Sequence, residues 1–169
     1  MELKEVLLKR RSIRKFKDTP ISDEMIKELL DAAMSGPSAC NRQPREFYVI
    51  KNKEKIKELS KASFFTKYES PLVIVVCGYA PRFLPSQLAP YWTQDCGAAT
   101  QNILLRATDL GLGAVWCGLH PQKRSEQRVR KFLDASERTI PMALIFIGYP
   151  DENPEPRTQY DSKKVHILE

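Results

Sequence analysis

Five residues near the N-terminus, Arg10-Arg-Ser-Ile-Arg14, put three guanidinium groups and one hydroxyl within a single short run. A guanidinium fork matches a phosphate or carboxylate in two places at once, and a serine hydroxyl adds a short oxygen contact to the same anion. The run therefore suits an anion clamp, with a solvated basic surface as the alternative, since charged side chains are mostly exposed.

A second polar cluster, Pro37-Ser-Ala-Cys-Asn-Arg-Gln-Pro-Arg45, is a loop hemmed by two prolines. Its Ser38, Asn41 and Gln43 are common turn residues that can also bind a ligand. Cys117-x-x-His120 is half of a metal-site spacing, but only one further histidine, His166, exists to complete a tetrahedral shell. A structural or surface role for both histidines follows. There is no Gly-x-Ser-x-Gly elbow and no Walker-type loop. Gly111-Leu-Gly113 stands between a helix and a strand, the reverse of the order that aims a helix N-terminus at a pyrophosphate. With an anion clamp and no acid–base or nucleophilic set, no catalytic side chain is assigned, and a cofactor is expected to carry the chemistry.

The elements that must hold these residues are legible from periodicity. Leu3, Val6 and Leu7 predict a short amphipathic helix over 2–9 that delivers Arg10. Ser22 reads as the N-cap of a second helix with Ile26, Leu29, Leu30 and Ala33 inward, closed by a left-handed Gly36 before Pro37. Phe47–Ile50 reads as a strand. Lys53 to Ala62 is a charged helix. Leu72–Cys77 and Ile140–Ile147 are apolar without alternation, as in strands covered on both faces. A long apolar helix through Cys96, Ala99, Ile103, Ala107 and Leu110 closes at Gly111 and Gly113 and releases a strand over Ala114–Cys117. Val129, Phe132 and Leu133 mark another helix, and Val165–Leu168 a short terminal strand. Mixed helices and strands around one core mean α+β or α/β.

Composition narrows the partners. The 169 residues suggest a single domain over 1–169 with a core of its own. No apolar run approaches the ~18 residues of a membrane helix, and the N-terminus shows no secretory signal. Four widely spaced cysteines fit reduced thiols in the cytoplasm. The net charge of +6 raises nucleic acid as a partner. Seven of 27 basic residues, however, fall in the first 17 positions, and the rest interleave with acids. A small anionic ligand fits that distribution better than a duplex.

Taken together, Arg10-Arg-Ser-Ile-Arg-Lys-Phe16, Ser35-Gly-Pro-Ser-Ala-Cys-Asn-Arg-Gln-Pro44, Gln101-Asn-Ile-Leu-Leu105 with Leu110-Gly-Leu-Gly-Ala-Val-Trp-Cys-Gly118, and a late Arg157 resemble the nitroreductase family of FMN-dependent oxidoreductases. The resemblance covers the chain in the expected order and identifies a compact member. It implies an α+β sandwich with a central mixed β-sheet flanked by helices, assembled as an intertwined homodimer with FMN at the interface. Arg10, Ser12 and Arg14 match the first flavin-binding stretch, sharing the phosphate and the N1/C2 carbonyl side of the ring. Arg11 either joins them or faces solvent. Pro37, Ser38 and Asn41 match a loop that reaches the flavin from the other subunit. Val115, Trp116, Cys117 and Gly118 match the segment whose backbone amides, those of Cys117 and Gly118 especially, approach N5 and O4. Arg157 matches a C-terminal basic residue at the phosphate.

The implied activity is hydride transfer from NAD(P)H, through flavin N5, to an electron-poor acceptor such as a nitroaromatic or quinone, both using one pocket in turn. Same-fold alternatives are reductive dehalogenation, enoyl reduction and flavin fragmentation, and a basic nucleic-acid-binding module is the alternative from another class. Two departures from the family pattern stand out: Arg45 occupies a position that usually holds Trp, and the short region from Phe64 to Glu69 offers only Lys67 as a ring contact. The Pro81 to Pro90 stretch is expected to shape the entrance.

Overall fold

The computed structural model describes residues 1–82, 85 and 90–168. Four strands, β1 (Arg45–Ile50), β2 (Leu72–Tyr79), β3 (Gly113–Gly118) and β4 (Thr139–Gly148), form one sheet in the order β1-β2-β4-β3, every neighbouring pair antiparallel. The one parallel pairing among the described residues is an isolated bridge, Ser12 to Ala114, on the outer edge of β3. An antiparallel bridge, Phe16 to Pro150, continues the same seam.

Two helical layers cover the sheet, and this explains the apolar runs without alternation. Along β2, Leu72, Ile74 and Val76 enter one core cluster while Val73, Val75 and Cys77 enter the other. In β4, Ala143, Ile145 and Ile147 face the first cluster and Leu144 and Phe146 the second. Successive side chains point to opposite faces, so a strand buried on both faces has no polar side. The first layer is α2 (Asp23–Met34) with α4 (Tyr91–Asp109); the second is α3 (Lys53–Leu59) with α5 (Lys123–Phe132). Leu29, Ile103 and Ile145 are completely buried, and each such side chain contributes about 1.5–3 kcal/mol.

Local signals decide the ends. The Ser22 hydroxyl accepts the Met25 N–H at 3.2 Å and starts α2. Gly111, at φ +73°, takes the left-handed turn that releases α4 into β3. Gly36 does not do the same for α2: it lacks a positive φ, and the helix closes on right-handed Ser35.

Two further expectations are corrected. In α1 (Leu3–Lys9) only Val6 is buried; Leu3 and Leu7 are 68% and 52% exposed, because the helix packs mainly on α4 along one narrow face. Val165–Leu168 forms no strand, having no neighbour to pair with, and Ile167 and Leu168 are exposed. Most of the Pro81 to Pro90 stretch lies outside the described residues. Among the described residues no helix is long and apolar enough to cross a membrane.

Candidate functional site

The Arg10–Arg14 run leaves α1 and is sewn to the edge of β3. The Ile13 N–H donates to the Ala114 carbonyl at 3.0 Å, and the Ile13 side chain is buried against Gly113. An ideal Cβ on Gly113 would come 2.7 Å from the Ile13 side chain, so only glycine allows this approach. Two segments a hundred residues apart thus meet at one strand edge.

The C-terminal segment runs down the other side of the same run. Lys17 N–H donates to Tyr149 O, Asp151 N–H to Lys15 O, and Arg157 N–H to Leu8 O at 3.3 Å. Arg157 therefore lies beside the end of α1, two residues before Arg10. Glu152 had no role in the sequence argument, yet one of its carboxylate oxygens accepts the Arg14 N–H and the Lys15 N–H, the latter at 3.2 Å. The Arg14 N–H first, then the Lys15 N–H and the positive charges of both residues, hold Glu152 below the usual carboxylate value despite partial desolvation.

The guanidinium groups divide their work. Arg11 donates to the Glu155 carbonyl and so ties down the C-terminal segment. Arg14 reaches only the Ser12 carbonyl, at 3.4 Å. Among the described residues no carboxylate pairs with Arg10, Arg14 or Arg157.

Strand alternation assigns the 115–118 segment. The Ala114 carbonyl faces outward to Ile13, and the Leu119 N–H, five residues on, turns inward to Met142 O at 2.8 Å. Even-numbered residues of β3 thus turn their amides to the open edge, and odd-numbered ones toward β4. Gly118 and Trp116 present free-edge amides. Val115 and Cys117 do not, and their side chains are buried in the second core cluster. This corrects the expectation that the Cys117 amide approaches a ligand. Burial pushes the Cys117 thiol up to about 12, against the opposing charge of nearby Arg14. Trp116 is 40% exposed, with its ring near Gly97 of α4.

The Pro37–Gln43 loop is held by different elements. Cys40, Asn41 and Gln43 all have φ near +50°, a costly region for non-glycine residues. Three anchors impose it. Asp95, buried in α4, accepts the Ala39 N–H at 2.9 Å; the Ser38 Oγ accepts the Gln43 N–H at 2.9 Å; and Arg45 grips the carbonyls of Gly36 at 2.9 Å, Pro37 at 3.4 Å and Met34 at 3.4 Å. The last turn of α2 carries no basic residue of its own, so Arg45 also supplies its missing positive charge. Asn41 Oδ1 accepts from Gln43 Nε2. Asp95 is a carboxylate on the apolar face of α4, a signal the sequence did carry; Arg45 stood out only as a departure from the family pattern.

His120, after β3, bonds through Nδ1 to Glu126 at 2.7 Å and packs edge-on against Trp92. Glu126 is buried and also paired with Lys123 at 3.1 Å. Lys67 sits over the Phe64 ring at 4.7 Å.

The arrangement can hold a dianion and a planar polar ring edge: unpaired guanidinium groups at one end of an open strand edge, free backbone amides at the other. The sequence profile of the Nitroreductase family matches residues 7–66 and 63–149. A Methanothermobacter thermautotrophicus protein, whose name assigns it provisionally as an NADH dehydrogenase/NAD(P)H nitroreductase, is 39% identical over 99% of this chain and 87% of its own. A crystal structure from Parabacteroides distasonis with the same provisional name superposes with TM-score 0.91 at 34% identity, covering 99% of this chain and 98% of the other. An FMN-dependent nitroreductase from Clostridium difficile gives 0.88 at 30% identity, over 97% and 98%.

Proposed function

Because this chain belongs to the nitroreductase family, we propose that the open edge of β3 is half of an FMN site in a homodimeric NAD(P)H oxidoreductase. One juxtaposition supports the reading: the Arg10–Arg14 run is fastened along the strand edge that also offers the amides of Trp116 and Gly118, and Arg157 reaches the segment just before that run through its N–H to Leu8 O.

The residues fit the group. FMN phosphate bears nearly two negative charges, which Arg10, Arg157 and the Ser12 hydroxyl would share. Arg14, close enough to influence the Cys117 thiol, would lie beside the N1/C2 carbonyl side of the ring, where a fixed positive charge favours electron uptake. The Gly118 amide would hold the N5/O4 edge. When bound, FMN supplies hydride transfer between NAD(P)H and an electron-poor acceptor such as a nitroaromatic or a quinone. The chain's own part is to bind, orient and bias the charge; no side chain need move a proton. One pocket used in turn by donor and acceptor means ping-pong kinetics, and intersecting steady-state lines would rule that out.

The dimer is supported by what one protomer leaves open. Leu3 and Leu7 on α1, together with Tyr160, Val165, Ile167 and Leu168 in the C-terminal segment, are exposed apolar side chains in quantity. Packing them against a second copy would bring the strained Pro37–Gln43 loop of one protomer, with Pro37, Ser38 and Asn41, to the clamp of its partner. The four cysteines are free thiols, consistent with a cytoplasmic setting.

The test is a visible spectrum of the purified protein, recorded before and after anaerobic NADPH, with sedimentation for the dimer. A flavin spectrum that bleaches, on a dimer, is expected. Protein that stays colourless after incubation with FMN would sink the proposal.

A further inference from the structure

A second concave site lies on the layer of α3 and α5, and no residue of the Arg10–Arg14 clamp lines it. It is an open groove of about 550 Å³ between residues 60–67 and the first turns of α5. Four cations line it, Lys61, Lys67, Arg124 and Arg128, and no carboxylate does. The nearest acid of α5, Glu126, is buried and already shared by His120 and Lys123. Arg128 donates to the Lys61 carbonyl at 2.7 Å and braces the wall. Lys61 and Arg124 have no side-chain partner among the described residues. At the rim stand Phe64 and Phe65, 76% and 62% exposed, edge to face with centroids 5.4 Å apart.

Unspent cations next to exposed aromatic faces make a specific combination. The cations favour an anion with more than one charge, and the rings offer a stacking surface for a planar base, a contact worth about 1–3 kcal/mol per base. A nucleotide phosphate meets both demands; a plain anion meets only one. The volume is also within the usual range of small-molecule sites. Position supports the same occupant. Gln122, on the groove wall, is four residues past Gly118, so their Cα atoms are at most about 14 Å apart. A dinucleotide anchored in the groove can lead its other end toward the edge of β3.

We propose that this groove seats the adenosine-phosphate end of the electron donor, and that it selects the donor bearing the extra ribose 2′-phosphate, NADPH over NADH. The inference rests on the oxidoreductase reading above and adds the donor's identity and its second anchoring point. Lys61 and Arg124 meet the 2′-phosphate, and Phe64 and Phe65 meet the base.

The test uses the FMN-loaded protein and two probes, 2′,5′-ADP and 5′-AMP, titrated by calorimetry, with steady-state kinetics for both donors. Wild type should bind 2′,5′-ADP about tenfold or more tighter than 5′-AMP. The Lys61→Ala, Arg124→Ala double variant should lose about tenfold in 2′,5′-ADP affinity and raise KM for NADPH about tenfold. KM for NADH should stay within about twofold, with FMN content and kcat unchanged. Equal binding of the two probes, or KM values for NADPH and NADH that both stay put or rise in parallel, would overturn the proposal. Should the double variant fold poorly, Arg124→Gln alone carries the same prediction at smaller amplitude. Failure of the oxidoreductase reading would look different: neither donor would bleach the flavin, while calorimetry would still decide whether the groove discriminates the two probes.

Discussion

Ile13 and Gly113 are in contact so close that a single methyl group on Gly113 would collide with the Ile13 side chain at 2.7 Å. That contact, with the Ile13 to Ala114 hydrogen bond beside it, fastens the N-terminal arginine run to the strand carrying the free amides. Gly113→Ala should therefore cost about 1–3 kcal/mol of stability through overpacking. It should also weaken FMN binding by shifting the arginines off the edge. Chemical denaturation and flavin titration would check the pair; a variant with full affinity and a lowered midpoint would separate stability from the site.

Arg10→Ala combined with Arg14→Ala should abolish FMN binding and leave the dimer intact. Neither side chain has an ion-pair partner among the described residues, and the run keeps its other anchors, the buried Ile13, the Arg11 bond to the Glu155 carbonyl and the Glu152 carboxylate on the backbone amides. Flavin content of the purified variant and its sedimentation give the answer.

Arg45 is predicted to act on the flavin through the loop it holds. Replacing it with Ala removes three contacts to the carbonyls that end α2, at a cost of about 1–2 kcal/mol. The left-handed residues 40, 41 and 43 lose one of their three anchors, so FMN affinity should fall as well. Arg45→Lys, keeping the charge without the fork, should restore part of the stability and less of the affinity.

Glu152 gives a pH signature. Its carboxyl is held below the ordinary value by the Arg14 and Lys15 amides, so it stabilises the fold where the unfolded chain is already ionised, above about pH 4.3. That contribution disappears as pH falls through the lower, folded-state value. Between pH 6 and pH 3 the melting temperature of wild type should drop more steeply than that of Glu152→Gln. Parallel curves would show that the carboxylate does not fasten the C-terminal segment.

Thiol chemistry should be confined to one residue. Burial pushes Cys96 and Cys117 up to about 12 and raises Cys77 as well, whereas Cys40 is exposed on the strained loop. Iodoacetamide at pH 8 should modify native protein at Cys40 and nowhere else, read by peptide mass. FMN should slow that labelling if the loop closes on the ligand.

Much of this was written in the chain. Four of the five stretches predicted as strands are the strands of the sheet, and the two central ones, β2 and β4, are apolar throughout because both of their faces are covered. Ser22 caps α2 and Gly111 ends α4, since both act through atoms of their immediate neighbours.

What only the tertiary structure decided concerns partners far apart in sequence. Arg11 turned out to be a tether, because Glu155 offers it a carbonyl from the other end of the chain. Cys117 and Gly118 look equivalent in sequence, yet the parity set by Ile13 on one side and Met142 on the other directs one inward and the other to the open edge. Leu3 and Leu7 carry the pattern of a buried stripe and are exposed in the single chain. Composition records that a residue is apolar; which surface covers it, and whether that surface belongs to the same molecule, depends on contacts that exist only once the chain has folded.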